Sequence, residues 1–146
     1  MLEYVIVIIK SRRIIIELSE RSSERMKVGV VLPLVEYSDQ QQSSYSEIRE
    51  LALLAEEAEF DSLWLFDHLL FRGGEGRPTK GTWECWTILA ALAEATKRVQ
   101  LGTLVLCTAF RNPALLAKMA VTLDTMSGRT PLRYCWRIGQ RRNVRY

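Results

Sequence analysis

Between Lys27 and Gly128 the chain repeats one pattern three times: a short apolar run followed by a segment with helical periodicity. The apolar runs are Val28–Leu32, Ser62–Phe66 and Val99–Leu106, and their length and composition predict buried strands. Buried strands that alternate with amphipathic helices are typical of a parallel sheet with helical crossovers. The sequence therefore predicts an α/β fold, either a doubly wound sheet or a βα barrel.

The three helical segments have recognisable start signals. Ser44 and Glu47 have the spacing of a capping box, Thr82 can cap the second helix, and Asn112 and Pro113 suit the cap and first residue of the third. The apolar positions that follow repeat at helical spacing. They are Ile48, Leu51, Ala55 and Ala58 in the first segment, Trp86, Leu89, Ala90 and Ala93 in the second, and Leu116, Met119, Ala120 and Leu123 in the third.

The first strand-helix turn favours the barrel over the doubly wound sheet. Residues Leu34–Gln42 contain no glycine, so the dinucleotide fingerprint and the phosphate loop are both absent there. In a βα barrel the chemistry lies at the carboxyl ends of the strands, which is where Asp67, His68 and Cys107 fall. The segment Arg72–Gly81, rich in glycine, is predicted to be a loop on the same face that could act as a lid.

His68 is the only histidine of the chain. A histidine beside an acid at the end of a buried strand can bind a ligand or move a proton near neutral pH. The alternative is that His68 is an ordinary loop residue and that Asp67 caps the loop. A single histidine does not supply the ligand sets that metal-dependent barrel hydrolases commonly use, so no metal site is predicted.

Cysteine content and charge exclude several classes of protein. The three cysteines are an odd number without CxxC spacing, which argues against a disulfide framework and a zinc site and fits a cytoplasmic protein. No apolar stretch reaches the roughly 20 residues that span a bilayer, so no membrane partner is expected.

The charges are distributed unevenly along the chain. Residues 27–127 hold nine basic and thirteen acidic side chains, and residues 128–146 hold six arginines and no acid. An acidic body disfavours nucleic acid as a partner.

From Met26 to Arg129 the chain resembles the luciferase-like monooxygenase superfamily of flavin- and deazaflavin-dependent oxidoreductases. The similar motifs are MKVGVVLP, LALLAEEAEFDSLWLFDHL, WTILAALAEATKRVQLGTLVL and NPALLAKMAVTLDTMSGR, in that order. The resemblance implies a TIM barrel, of which this segment would form the N-terminal three to four βα units. It is less than half of a barrel of about 250 residues, so the expected (β/α)8 barrel is incomplete.

The resemblance also implies site residues and a cofactor. Asp67 and His68 match the acidic-histidine pair of the family, in which the histidine lies near the isoalloxazine ring and assists proton transfer, so His68 is the predicted catalytic residue. Leu104 and Val105 match a bulge behind the ring that commonly contains a non-proline cis peptide. Cys107 matches a small polar position near the cofactor, although it could instead be a small buried filler. The implied cofactor is reduced FMN or the deazaflavin coenzyme.

Both ends of the chain depart from the pattern. Residues 1–25 are interpreted as an extension outside the family domain of residues 26–129. Residues 130–146 are interpreted as an arginine-rich tail without strand periodicity, in the place where a fourth strand is due. One hypothesis is that this tail comes from a shifted reading frame.

Two functions from different classes follow from this reading. The first is a truncated luciferase-like oxidoreductase, whose parent enzyme carries out monooxygenation or hydride transfer on a small organic substrate. The second is a catalytically inactive remnant or interaction module. An unclosed barrel exposes strand edges, so self-association through the open edge is expected in either case.

Overall fold

A computed structural model describes residues 4–10, 13–14, 27–35, 44–72, 76, 78–128 and 132–137 of the chain. Its elements, in chain order, are β1 (Tyr4–Lys10), β2 (Arg13–Ile14), β3 (Lys27–Val31), α1 (Tyr45–Glu57), β4 (Ser62–Leu65), β5 (Leu70–Arg72), β6 (Thr79–Gly81), α2 (Cys85–Ala95), β7 (Gln100–Cys107), α3 (Pro113–Ser127) and β8 (Leu132–Arg137). A short 3-10 turn over Thr108–Phe110 precedes α3. None of the described helices is long and apolar enough to span a membrane.

The larger sheet of the described residues has six strands in the order β2-β1-β3-β4-β7-β8. Strands β1, β3, β4, β7 and β8 are parallel to their neighbours, and only β2 runs antiparallel, to β1. Successive strands β3, β4 and β7 are joined through helices, as parallel neighbours require. The predicted α/β fold with helical crossovers is therefore confirmed.

One face of the sheet packs against the three helices and forms the core. In register across this face, Leu63 of β4 lies between Val30 of β3 and Leu101 of β7, and all three side chains are buried. The helices contribute apolar residues at the spacing that the sequence predicts, with Ile48, Leu89 and Leu116 among the buried ones. Burial of this amphipathic face is what selects helix over other conformations here.

The opposite face of the sheet is occupied by Trp64. Its indole nitrogen donates to the Ser62 hydroxyl at 2.9 Å, two residues earlier on the same strand face. The ring lies against Gly29 of β3, where an added Cβ would lie 2.6 Å from the indole nitrogen and 2.5 Å from the Ser62 oxygen. Gly29 is therefore needed because Ser62 and Trp64 of the neighbouring strand leave no room for a Cβ.

The predicted helix starts are confirmed for α1 and α3 and wrong for α2. Ser44 and Glu47 form a reciprocal capping box, and the Asn112 side chain accepts from the first turn of α3, with proline at its start. The cap of α2 is Glu84, whose carboxylate accepts from the N–H groups of Trp86 and Thr87. Thr82 instead donates its hydroxyl hydrogen to the His68 carbonyl at 3.0 Å.

Part of the segment Arg72–Gly81 is not the irregular loop that the sequence predicts. Strands β5 and β6 pair as an antiparallel hairpin in the register Leu70 with Gly81, Phe71 with Lys80 and Arg72 with Thr79. The two strands have only three residues each, and the glycines and the proline between them favour the prediction of a loop. The hairpin follows β4 directly, so it begins at the same end of the sheet as His68.

The ends of the chain also contribute strands. Strand β1 pairs in parallel with β3 over Tyr4–Ile8, and β8 pairs in parallel with β7. The interpretation that the tail lacks strand periodicity is wrong, because the LRYCWR segment alternates apolar and arginine or cysteine positions with a period of two, which is typical of a strand. The domain boundaries at residues 25 and 129 stay predictions.

Candidate functional site

The carboxyl ends of β4 and β7 lie side by side and bring the predicted site residues together. The strands are paired as far as Leu65 and Thr103. Just beyond that pair, the backbone N–H of Cys107 donates to the Asp67 carboxylate at 3.0 Å. Asp67, His68 and Cys107 therefore share one edge of the sheet, as a βα barrel predicts.

The predicted irregularity of β7 is present. The peptide bond between Leu104 and Val105 is cis, and the pairing of β7 with β8 shifts register between Leu104 and Leu106. Both side chains at the cis bond are half-buried. The strand therefore presents an apolar surface, only partly covered, within three residues of Cys107.

Asp67 is buried, with 5% of its surface exposed, and its two carboxylate oxygens bind protein groups. One oxygen accepts from an Arg111 nitrogen at 3.0 Å, and the other accepts from the second Arg111 nitrogen at 2.5 Å and from Cys107. Paired, hydrogen-bonded carboxylates of this kind are the form in which buried acids occur. In this structure Asp67 ties the ends of β4 and β7 together, and its role in cofactor binding stays a prediction.

His68 follows Asp67 and is exposed. Its ring lies near two aromatic side chains, with centroids 5.3 Å from Phe66 and 6.4 Å from Phe71. The His68 carbonyl accepts from Thr82, and the preceding residue is anchored by its carboxylate. The backbone is therefore held on both sides, and the His68 side chain is exposed at the end of the sheet.

Arg111 is the residue of this cluster that the sequence interpretation missed. Its guanidinium binds Asp67 and also Glu84, the cap of α2, and it lies 5.9 Å from the centre of the Trp86 ring. The hydrogen bond to Asp67 is the main cause of a raised Arg111 pKa, against the opposing effect of burial. Arg111 is the only basic residue between β7 and α3, which is the one signal that could have suggested a partner for Asp67.

Two cysteines, Cys85 and Cys107, have side chains that the structure describes, and their environments differ. Cys85, at the start of α2, is buried, and burial together with the Asp67 and Glu84 carboxylates raises its thiol pKa. Cys107 is half-buried at the end of β7. Thiolate formation governs cysteine reactivity, so Cys85 is an inert core residue and Cys107 is the accessible thiol of the site.

The matched segment of the sequence identifies the family. The family model described as luciferase-like monooxygenase matches residues 26–131, which is most of the chain and contains β3 to α3. The chain belongs to this family. The resemblance seen in the four sequence motifs is therefore confirmed, and the match includes each of the site residues described above.

Curated relatives share the same segment. The F420-dependent glucose-6-phosphate dehydrogenase of Amycolatopsis mediterranei is 43% identical over 81 residues, which is 53% of this chain and 23% of that protein. The pyrimidine monooxygenase RutA of Agrobacterium fabrum is 32% identical over 111 residues, which is 70% of this chain and 30% of that protein. The chain thus matches between about a quarter and a third of the length of these luciferase-like family relatives.

Solved structures agree on the fold. An F420-dependent secondary alcohol dehydrogenase in complex with an F420-acetone adduct superposes with a TM-score of 0.59 and 27% identity, over 75% of this chain and 31% of that one. Monooxygenase RslO1 from Streptomyces bottropensis superposes with a TM-score of 0.54 and 29% identity, over 76% and 32%. The luciferase-like TIM-barrel fold is therefore confirmed for the part that this chain covers.

Proposed function

We propose that this chain carries the ring-binding end of a luciferase-like oxidoreductase site, and that its cofactor is the deazaflavin coenzyme. The observation that supports the proposal is one juxtaposition: the Asp67-His68 dipeptide lies beside the cis-peptide segment of β7, joined to it by the Cys107 N–H. In a luciferase-like barrel these are the strand ends at which chemistry takes place.

The residues present fit a tricyclic ring. Such a ring needs an apolar wall on one face and hydrogen-bond donors at its edge. Leu104 and Val105 offer a half-buried apolar surface, and His68 offers an exposed imidazole. Cys107 is half-buried beside them, so its side chain is a further contact in the proposal.

The proposal favours one of two cofactors, the deazaflavin coenzyme or FMN. The names of the Amycolatopsis relative and of the alcohol dehydrogenase structure both state F420 dependence, which favours the deazaflavin coenzyme over FMN. When bound, such a ring supplies hydride transfer to or from a small organic substrate. In the proposal His68 is the catalytic residue, which holds or donates a proton at the ring edge, and Asp67 holds the histidine in place.

Titration of the purified full chain with the deazaflavin coenzyme and with FMN, each oxidised and reduced, tests the proposal by fluorescence. We expect saturable binding of the deazaflavin coenzyme, about tenfold weaker in His68→Ala, which corresponds to the loss of one good contact of about 1.4 kcal/mol. Leu115→Ala trims an exposed side chain of α3 and serves as the matched control. Absence of saturable binding by either cofactor contradicts the proposal and favours an interaction module.

A further inference from the structure

Arg111, which follows β7, contacts two other segments that meet at the candidate site. Its guanidinium forms a two-pronged ion pair with Asp67 at the end of β4. The same group binds Glu84 at the start of α2 and lies over the face of Trp86. Arg111 itself directly follows the 3-10 turn at the end of β7. One side chain, 11% exposed, therefore connects β4, α2 and β7.

Each of these contacts restrains a neighbour of the proposed ring site. Asp67 precedes His68 in the chain, so fixing its carboxylate fixes the peptide from which the imidazole projects. Asp67 also accepts from the N–H of Cys107. Glu84 accepts from the first-turn N–H groups of α2 while it binds Arg111, so its orientation is set from both sides.

Charge explains why an arginine is needed in this position. Asp67 and Glu84 bring two carboxylates to one guanidinium, and Asp67 is nearly inaccessible to water. Without a cation between them the two acids would repel each other, and Asp67 would be an unpaired buried charge, which is costly. Lysine carries the same charge but lacks the planar fork that binds a carboxylate through two parallel hydrogen bonds.

We infer that Arg111 is a positioning residue of the cofactor site, which holds His68 in place by clamping Asp67 against Glu84 and the end of β7. The inference rests on the proposed function for its effect on cofactor binding. Its effect on His68 itself is independent of that function, because the placement of a side chain can be measured without a cofactor.

The single histidine makes the measurement direct. In the full chain, the imidazole resonances of a 15N- or 13C-labelled sample report on His68 alone. We expect Arg111→Met to displace these resonances and to weaken deazaflavin coenzyme binding by at least about tenfold. Arg111→Lys retains the charge, and we expect it to restore part of the resonance position and part of the affinity.

The matched control is Arg98→Met. Arg98 also donates to another segment, the Glu56 carbonyl, but it precedes β7 and so lies at the opposite end of the strand. Its loss is expected to lower the melting temperature and leave the His68 resonances in place. If Arg111→Met does not fold, the double variant Asp67→Asn with Arg111→Gln removes the pair without leaving Asp67 as an unpaired buried charge, and the same displacement is expected.

The outcomes separate the two proposals. Unchanged His68 resonances and unchanged affinity in folded Arg111→Met or in the double variant overturn the positioning role. Displaced resonances in a protein whose wild type binds no deazaflavin coenzyme and no FMN support the positioning role and overturn the proposed function.

Discussion

The backbone N–H of Cys107 donates a hydrogen bond to the carboxylate of Asp67, 40 residues earlier in the chain. The bond joins the ends of two neighbouring parallel strands just past the last residues at which β4 and β7 pair. Because the same carboxylate also binds Arg111, the strand ends, the start of α2 and the turn before α3 form one connected unit. The behaviour of Asp67 variants therefore reports on the whole site.

Replacement of Asp67 by asparagine is expected to destabilise the protein substantially. The change leaves Arg111 without its two-pronged partner while Glu84 remains, so we expect the lower end of the range for a broken buried ion pair, about 3 kcal/mol. The free energy of unfolding from urea denaturation measures it. Asp124→Asn, at an exposed position of α3, is the control and should change stability by less than about 0.5 kcal/mol. Equal losses in both variants would contradict a structural role for the Asp67 ion pair.

Cys85 and Cys107 are expected to differ in reactivity. In a Cys135→Ser background, maleimide at neutral pH should label Cys107 and leave Cys85 unmodified until denaturant is added. The reason is that Cys85 is buried and its raised pKa keeps it protonated, whereas Cys107 is half-buried. Peptide mass spectrometry locates the label. Deazaflavin coenzyme should slow the labelling of Cys107, and equal labelling rates for the two thiols would contradict this account of the site.

Local sequence signals predicted the three helices and strands β3, β4 and β7. The capping box of Ser44 and Glu47, and the cap and proline at Asn112 and Pro113, are interactions within one turn of chain, so their residue types suffice to predict them. The same holds for β3, β4 and β7, whose mainly apolar composition is visible within each short segment. The cis peptide at Leu104 followed from the family resemblance and not from the residues themselves.

The features that sequence did not predict depend on contacts between distant residues. Glu84 replaces Thr82 as the cap of α2 because a carboxylate there can bind both the helix start and Arg111. The Asp67–Arg111 pair joins residues 44 positions apart, and no periodicity signals such a pair. Strand β8 was not predicted because its alternation of apolar residues is only six residues long and lies within an arginine-rich segment.

Gly29→Ala is expected to be destabilising because its Cβ would collide with Trp64 as well as with the Ser62 hydroxyl oxygen. An alanine Cβ would lie 2.6 Å from the indole nitrogen and 2.9 Å from a ring carbon, so the ring must move within a buried site. Overpacking of this kind costs about 1–3 kcal/mol. Circular dichroism during urea denaturation measures the change.

A double-mutant cycle supplies the control for the Gly29 prediction. In a Trp64→Leu background the obstacle at Gly29 is reduced, so Gly29→Ala should cost less there than in the wild type, by about 1 kcal/mol or more. Additive costs in the two backgrounds would show that the tryptophan is not the reason for glycine at this position.

Glu56 lies near the amino-terminal end of β7, opposite the candidate site, and is expected to make the stability of the protein depend on pH. Its carboxylate accepts from the backbone N–H groups of Lys97, Arg98 and Val99, with distances from 2.5 to 3.2 Å. Burial raises the pKa of Glu56, but these N–H donors and the Arg98 charge outweigh it, so the pKa lies below its usual value of 4.5. The folded state therefore favours the ionised form.

A carboxylate with a lowered folded-state pKa contributes stability that is present above about pH 4.5 and lost as the pH falls through the folded-state pKa. Glu56→Gln should remove that contribution, lowering stability at pH 7 by about 1–2 kcal/mol, since hydrogen bonds to a charged acceptor are involved and the site is partly solvated. The difference between variant and wild type should shrink as the pH is lowered towards 3. Glu57→Gln, at the exposed neighbouring position, should show neither effect. If the difference in the free energy of unfolding between Glu56→Gln and wild type stays constant from pH 7 to pH 3, the ionised form of Glu56 does not contribute to stability through the three N–H groups.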